Sequence, residues 1–168
     1  MPRAGIALGS NLGDRIGSLR AAAASLRGLS VPGEPFLAAA IYATRPQDCP
    51  PGSPEFLNSV VEIGFDGSAR ELLDATLAIE TALGRVRSAV LNAPRPIDID
   101  LLYFGDAIIN STDLTLPHPR ITRRRFVLQP LADIRPGLVL PGSPYSIRES
   151  LAGLDDGEAL LVALEETL

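Results

Sequence analysis

A chain of 168 residues, 46% apolar and 21% charged, has the composition of a folded protein with room for one sizeable core, and a single domain over 1–168 is expected. Its net charge of -5 argues against wholesale binding to DNA or RNA, which rests on neutralising many phosphates. All 15 basic residues are Arg, so a Schiff-base lysine and the Lys-bearing phosphate loop are excluded, while the lone Cys49 and lone His118 exclude an intrachain disulfide, a four-cysteine zinc site and a His-Glu-x-x-His motif. No apolar run approaches the ~18 residues of a membrane span. The N-terminus lacks a signal-peptide layout, and a cytoplasmic setting without a membrane partner is expected.

The elements follow in chain order. Residues 4–8 form a short apolar run that ends at Gly9 and reads as a buried strand. Over 14–28, Ile16, Leu19, Ala23 and Leu26 recur at helical spacing. The turn between, Gly9-Ser10-Asn11-Leu12-Gly13-Asp14, either presents N–H groups to an anion or is a tight turn with a helix cap. Residues 36–43 and 56–65 read as strands, and Asn58 interrupts the second. A buried Asn must be hydrogen-bonded, so it serves the fold or reads the donor–acceptor edge of a ligand.

Residues 69–83 are an amphipathic helix stopped by Gly84, and 97–104 are a strand. The order βαββαβ predicts a ferredoxin-like core of class α/β (α+β). An extended piece at 107–109 and helices near 123–134, 146–152 and 157–167 follow. Together they predict a mainly antiparallel sheet with helices on both faces. Two connections are long: 44–55 carries four prolines, and 84–96 carries three arginines. Loops of that length in a compact domain are often functional.

Asp98 and Asp100 form an Asp-x-Asp pair on the strand 97–104. Side chains two apart on a strand share a face, about 7 Å apart at the backbone. Two like charges so placed are unfavourable unless a cation joins them, and such a pair suits Mg²⁺, which leaves its other positions to water and phosphate oxygens. A solvated sheet face is the plain alternative. Arg85, Arg87 and Arg95 precede the pair, and Arg120, Arg123, Arg124 and Arg125 follow it. Acids ringed by arginines are the parts of a phosphoryl-transfer site. Three consecutive arginines at 123–125 cannot all face one site. His118, between two prolines, is either a ligand contact or a packed turn residue. A non-enzymatic ligand-binding module remains open, as does, more remotely, a glycosidase with paired carboxylates.

Gly-Ser-Asn-Leu-Gly-Asp (9–14), Tyr42-x-Thr44, Phe56-Leu-Asn58, Gly84-Arg-Val-Arg87, Pro94-Arg-Pro-Ile-Asp-Ile-Asp-Leu-Leu102 and Leu116-Pro-His-Pro-Arg120 through Phe126 occur in this order. In combination they resemble the 6-hydroxymethyl-7,8-dihydropterin pyrophosphokinase family over about residues 4–151. The resemblance implies transfer of pyrophosphate from ATP to the pterin hydroxymethyl group, with release of AMP, in folate biosynthesis. It further implies two Mg²⁺ held by Asp98 and Asp100, with Arg85 and Arg95 joining them as the catalytic set. Thr44, Phe56, Asn58 and Phe126 would bind the pterin. Glu80, Arg85, Arg87, Arg95, Leu101, Thr115, His118 and Arg124 would bind ATP. A monomer is expected. The chain departs from the family pattern at Ser88, Asn92 and Pro119, and in one extra residue after Thr44.

Overall fold

The computed structural model describes residues 1–44, 51–52, 54–91, 93–155 and 161–168. Most of the proline-rich loop, Cys49, Asn92 and the start of the C-terminal tail lie outside the described residues.

Strand β1 (Arg3–Ser10) leads through the Gly9–Asp14 turn into helix α1 (Arg15–Leu29). Asp14 caps that helix by accepting the Gly17 N–H at 3.0 Å. Strand β4 (Phe56–Gly64) is followed by helix α2 (Ala69–Ala82), opened by a capping box between Ser68 and Glu71. Strand β5 (Asp98–Phe104) closes the βαββαβ unit. Between β4 and α1 lie two short strands, β2 (Leu37–Ala38) and β3 (Tyr42–Thr44).

The predicted strand 36–43 is thus broken, for a geometric reason. Ala38 pairs with Val61 and Tyr42 with Asn58, so three residues on one side oppose two on the other. The Ser59 hydroxyl donates to the carbonyls of Ala39 and Ala40 at 3.2 and 3.0 Å and occupies the bulge.

The main sheet has the order β5-β1-β4-β3-β8, with β2 also on β4, and every pairing is antiparallel. Its four core positions carry the ferredoxin-like order. The outermost strand β8 (Val162–Ala163) corrects the helix expected over 157–167. The tail has helix-forming residues, but the outer edge of β3 carries unpaired backbone groups. Val162–Ala163 pairs with that edge, and Leu164 N–H donates to the Ile41 carbonyl at 2.8 Å. The piece at 107–109 becomes strand β6 (Ile109–Asn110), paired with β7 (Thr115–Leu116), which sequence reasoning missed. A turn of 3₁₀ helix (Ile121–Arg123) precedes helix α3 (Arg125–Ile134), which starts two residues later than expected; α4 (Ile147–Ala152) follows.

Both sheet faces are covered. Ile6, Leu8, Leu57, Val61, Ile63, Ile97 and Ile99 pack beneath α1 and α2. Val60, Leu102 and Tyr103 pack beneath α3 and α4. Strand alternation makes this division, with one exception. Ile6 pairs with Leu101 but Gly5 with Tyr103, so Leu102 is an extra residue in β5. Leu102 and Tyr103 consequently both join the α3–α4 side, and Phe104 joins the other.

The Tyr103 hydroxyl donates to the fully buried Glu62, which also receives Arg3 Nε at 3.0 Å and Arg135 Nη1 at 2.8 Å. These bonds tie the end of α3 to the sheet. The Tyr103 ring lies over Gly5, where a Cβ would meet ring atoms at 2.2 to 2.8 Å. Gly5→Ala is therefore expected to destabilise by about 3 kcal/mol through overpacking. At about 2–4 °C per kcal/mol the melting temperature falls by about 10 °C; a thermal melt checks it. Among the described residues no helix is long and apolar enough to cross a membrane.

Candidate active site

Four strands bring the site together in one row. Gly9 on β1 pairs with Asp98 of β5 on one side and with Asn58 of β4 on the other, and Asn58 pairs with Tyr42 of β3. In the next row Ala7 separates Asp100 from Val60. The alternating neighbours Ile97, Ile99 and Leu101 are buried in the opposite face, so both carboxylates lie on the α3–α4 side, beyond the cover of those helices. Small residues between acids and amide leave a trough. A Cβ on Gly9 would stand 3.0 Å from Asn58 Oδ1 and 3.8 Å from both Asp98 Cβ and Phe56 Cδ1. Gly9 reads from the sequence only as a turn residue, because its role depends on what two other strands place beside it.

Asp98 is gripped from both sides. Arg85 Nη1 donates to its Oδ1 at 2.6 Å, and Arg95 Nη2 donates to its Oδ2 at 3.2 Å. Arg85 also pairs with Glu80, whose Oε2 accepts the Ile99 N–H at 2.9 Å. Glu80, buried on α2, therefore seals the outer edge of β5 and holds Arg85 in place. Burial pushes its carboxyl above the ordinary range, and the Ile99 N–H and Arg85 oppose that.

Asp100 differs: among the described residues nothing donates a hydrogen bond to it. Burial, then the charges of Asp98 and Glu80, push its carboxyl up to about 6. A half-buried carboxylate without a donor, beside a second one, is an arrangement that a cation completes. Among the described residues no group of three or more His, Cys, Asp or Glu stands ready to hold a metal by itself. A metal on this pair would take its remaining oxygens from substrate and water.

A cleft of ≈ 560 Å³ runs from the acid pair past Glu80, Arg85, Thr115 and His118 to its mouth, where Arg70 pairs with Asp113. The His118 Nδ1 accepts the Arg120 N–H at 3.1 Å, which leaves the ring proton on Nε2. Burial, then Arg124 and Arg120, hold this imidazole below its ordinary pKa and favour the neutral form. His118 thus lines the cleft with its Nδ1 already engaged by the Arg120 N–H. Leu101 is buried in the core. Residues two apart turn their N–H groups the same way, so Leu101 turns its main-chain N–H toward the outer edge of β5, as Ile99 does toward Glu80. Arg87, 72% exposed and 3.8 Å from Glu80, also lines this cleft.

On the other side of the trough, Asn58 Nδ2 donates to Thr44 Oγ1 at 3.2 Å. The Arg95 guanidinium lies 5.3 Å above the Phe56 ring, and that of Arg124 lies 5.4 Å from Phe126. Among the described residues the two rings make no contact with each other, and Phe126 packs against the α3–α4 core. Arg124 is half-buried and feels Asp100 and Asp98; Arg123 is exposed, as expected of a run that cannot all face one way. The Tyr42 hydroxyl donates to Asp133 Oδ2 at 2.7 Å and ties β3 to α3; burial and Asp133 push its pKa up to about 12. The chain order of the residues did not give this tie, nor the Asn11–Arg95 contact described below.

Comparison with known proteins gives the family of the chain. Residues 5–136 match the family of 7,8-dihydro-6-hydroxymethylpterin-pyrophosphokinases. A 2-amino-4-hydroxy-6-hydroxymethyldihydropteridine pyrophosphokinase from Methylorubrum extorquens is 42% identical over 161 residues, covering 92% of this chain and 95% of the relative. The Synechocystis protein of the same name is 36% identical, covering 89% of this chain and 75% of its own length. In fold, a Plasmodium falciparum HPPK-DHPS structure superimposes with a TM-score of 0.70 at 14% identity over 90% of this chain; the chain spans 44% of that longer protein. The binding-module and glycosidase readings fall away. The chain belongs to the 7,8-dihydro-6-hydroxymethylpterin-pyrophosphokinase family and is a transferase that moves pyrophosphate from ATP to 6-hydroxymethyl-7,8-dihydropterin, in folate biosynthesis.

Proposed function

We propose that residues 1–168 act as one pyrophosphokinase domain in which Asp98 and Asp100 hold two Mg²⁺ against the triphosphate of ATP. The observation that carries this is the Asp100 carboxylate, half-buried beside Asp98 and without a donor among the described residues. When bound, the metal would neutralise charge on the phosphates and fix their geometry.

The chain's own residues do the rest. Arg85 and Arg95, already aligned on Asp98, steady the negative charge of the migrating diphosphate. Glu80 keeps Arg85 from swinging away. His118 donates to a phosphate or ribose oxygen, and Thr115, Arg87, Arg124 and the Leu101 main chain line the nucleotide's path. Asn58, linked to Thr44, reads the amide edge of the pterin, and Phe56 and Phe126 stack on its faces. The pterin hydroxymethyl oxygen then attacks the β-phosphorus. The bond from that phosphorus to the α,β-bridging oxygen breaks, AMP leaves, and the hydroxyl proton passes to solvent. No strong base is required, because placement and charge neutralisation carry the step. The enzyme works as a cytoplasmic monomer on these small substrates, a setting that its lone cysteine and ATP requirement suit.

The test is incubation with ATP, MgCl₂ and hydroxymethyldihydropterin. AMP and pterin diphosphate form in equal amounts, and formation stops when EDTA exceeds Mg²⁺. ADP as the product, or turnover unaffected by EDTA, overturns the reading.

A further inference from the structure

We propose that Asn11 is a positioning residue that sets Arg95 for the diphosphate, an inference that rests on the clamp role given to Arg95 above. Asn11 follows β1 directly and is fully buried. Its backbone N–H donates to the Arg95 carbonyl at 3.2 Å, and its Oδ1 accepts the Arg95 N–H at 2.8 Å. Residues 84 positions apart are thus joined by two reciprocal hydrogen bonds. Arg95 lies in the connection between α2 and β5, which among the described residues has no helix or strand. These two bonds pin its main chain to the rigid end of β1, two residues beyond Gly9.

From that fixed point the guanidinium reaches Asp98 Oδ2 at 3.2 Å and lies above Phe56 at 5.3 Å. A long side chain on an unpinned loop would lose more conformational freedom on meeting a phosphate. Asn11 is not needed as the helix cap, because Asp14 fills that role. Among the described residues its Nδ2 has no partner, and the side-chain oxygen makes the bond to Arg95. The Gly9–Asp14 turn therefore contributes to the site by holding the clamp in place.

The test combines amide exchange with a double-mutant cycle. In Asn11→Ala, the Arg95 amide exchanges at least about tenfold faster, while the amides of Ile6 and Val61 keep their protection. Its kcat falls about tenfold, the loss expected for one hydrogen bond to the clamp, while both KM values stay within about threefold. In an Arg95→Ala background the same substitution changes kcat less than about twofold. Asn11→Asp keeps the accepting oxygen and with it the protection of the Arg95 amide. If Asn11→Ala does not fold, Asn11→Ser, too short to reach that amide, carries the same readouts. Unchanged Arg95 exchange, or losses that multiply in the double variant, overturns the proposal. Because exchange is read without turnover, absence of AMP in the wild type would remove the clamp reading and still leave the tie itself tested.

Discussion

Asp98→Asn and Asp100→Asn each lower AMP formation by about 10²–10³-fold, the scale of losing a fixed charge at a transferring group. The two variants differ in everything else. Asp98 is the common partner of Arg85 and Arg95, so Asn at 98 also frees two guanidinium groups that a neutral amide holds less tightly. Asp100 has no donor to lose among the described residues, and its charge stands close to those of Asp98 and Glu80. Asn at 100 therefore leaves the metal-free protein at least as stable as the wild type, while it removes the stabilisation that Mg²⁺ and a non-hydrolysable ATP analogue confer. Thermal melts with EDTA and with the Mg²⁺–analogue pair, beside an AMP assay, separate these outcomes. Turnover within threefold of wild type in either variant would remove the acid pair from the chemistry.

The second large effect concerns Gly9. A valine there fits a strand backbone, but its Cβ alone already meets Asn58 Oδ1 at 3.0 Å. Its methyl groups fill the trough between Asn58 and Asp98. Overpacking of this kind costs about 1–3 kcal/mol, here levied on the pterin complex, so pterin affinity falls about 10–100-fold. Affinity for an ATP analogue stays within about threefold, because the cleft proposed for the nucleotide starts at Asp98 and extends along the outer edge of β5, and neither Gly9 nor Asn58 lines it. Calorimetric titration with each substrate measures the split. Equal weakening of both, or of neither, would show that the trough does not receive the ring.

Regular periodicity made much of this legible in the sequence. β1, α1, β4, α2 and β5 fall within two residues of their expected ends, because each has a clean period of 2 or 3.6. The exceptions have local causes: the run of alanines at 38–40 conceals a bulge that Ser59 stabilises from another strand, and the tail's helix-forming residues pair instead with a vacant edge. The Asp-x-Asp pair and its arginines are legible because a strand dictates which side chains share a face. Gly9 and Asn11 are not, since their roles arise from partners about 50 to 90 positions away that only the closed sheet brings near.

The extra residue at Leu102 fixes where this gene can tolerate length changes. In the α2–β5 connection, beyond Arg85 and Arg87 and before Pro94, an inserted or deleted codon changes the reach of a loop and leaves those two arginines on Glu80. A codon lost between Asp100 and Tyr103 would undo the bulge and invert one half of the strand. Either the two acids would turn in among the aliphatic side chains under α1 and α2, or Tyr103 would leave Glu62. Related chains should therefore vary freely in length before Pro94 and hardly at all in the few residues after Asp98.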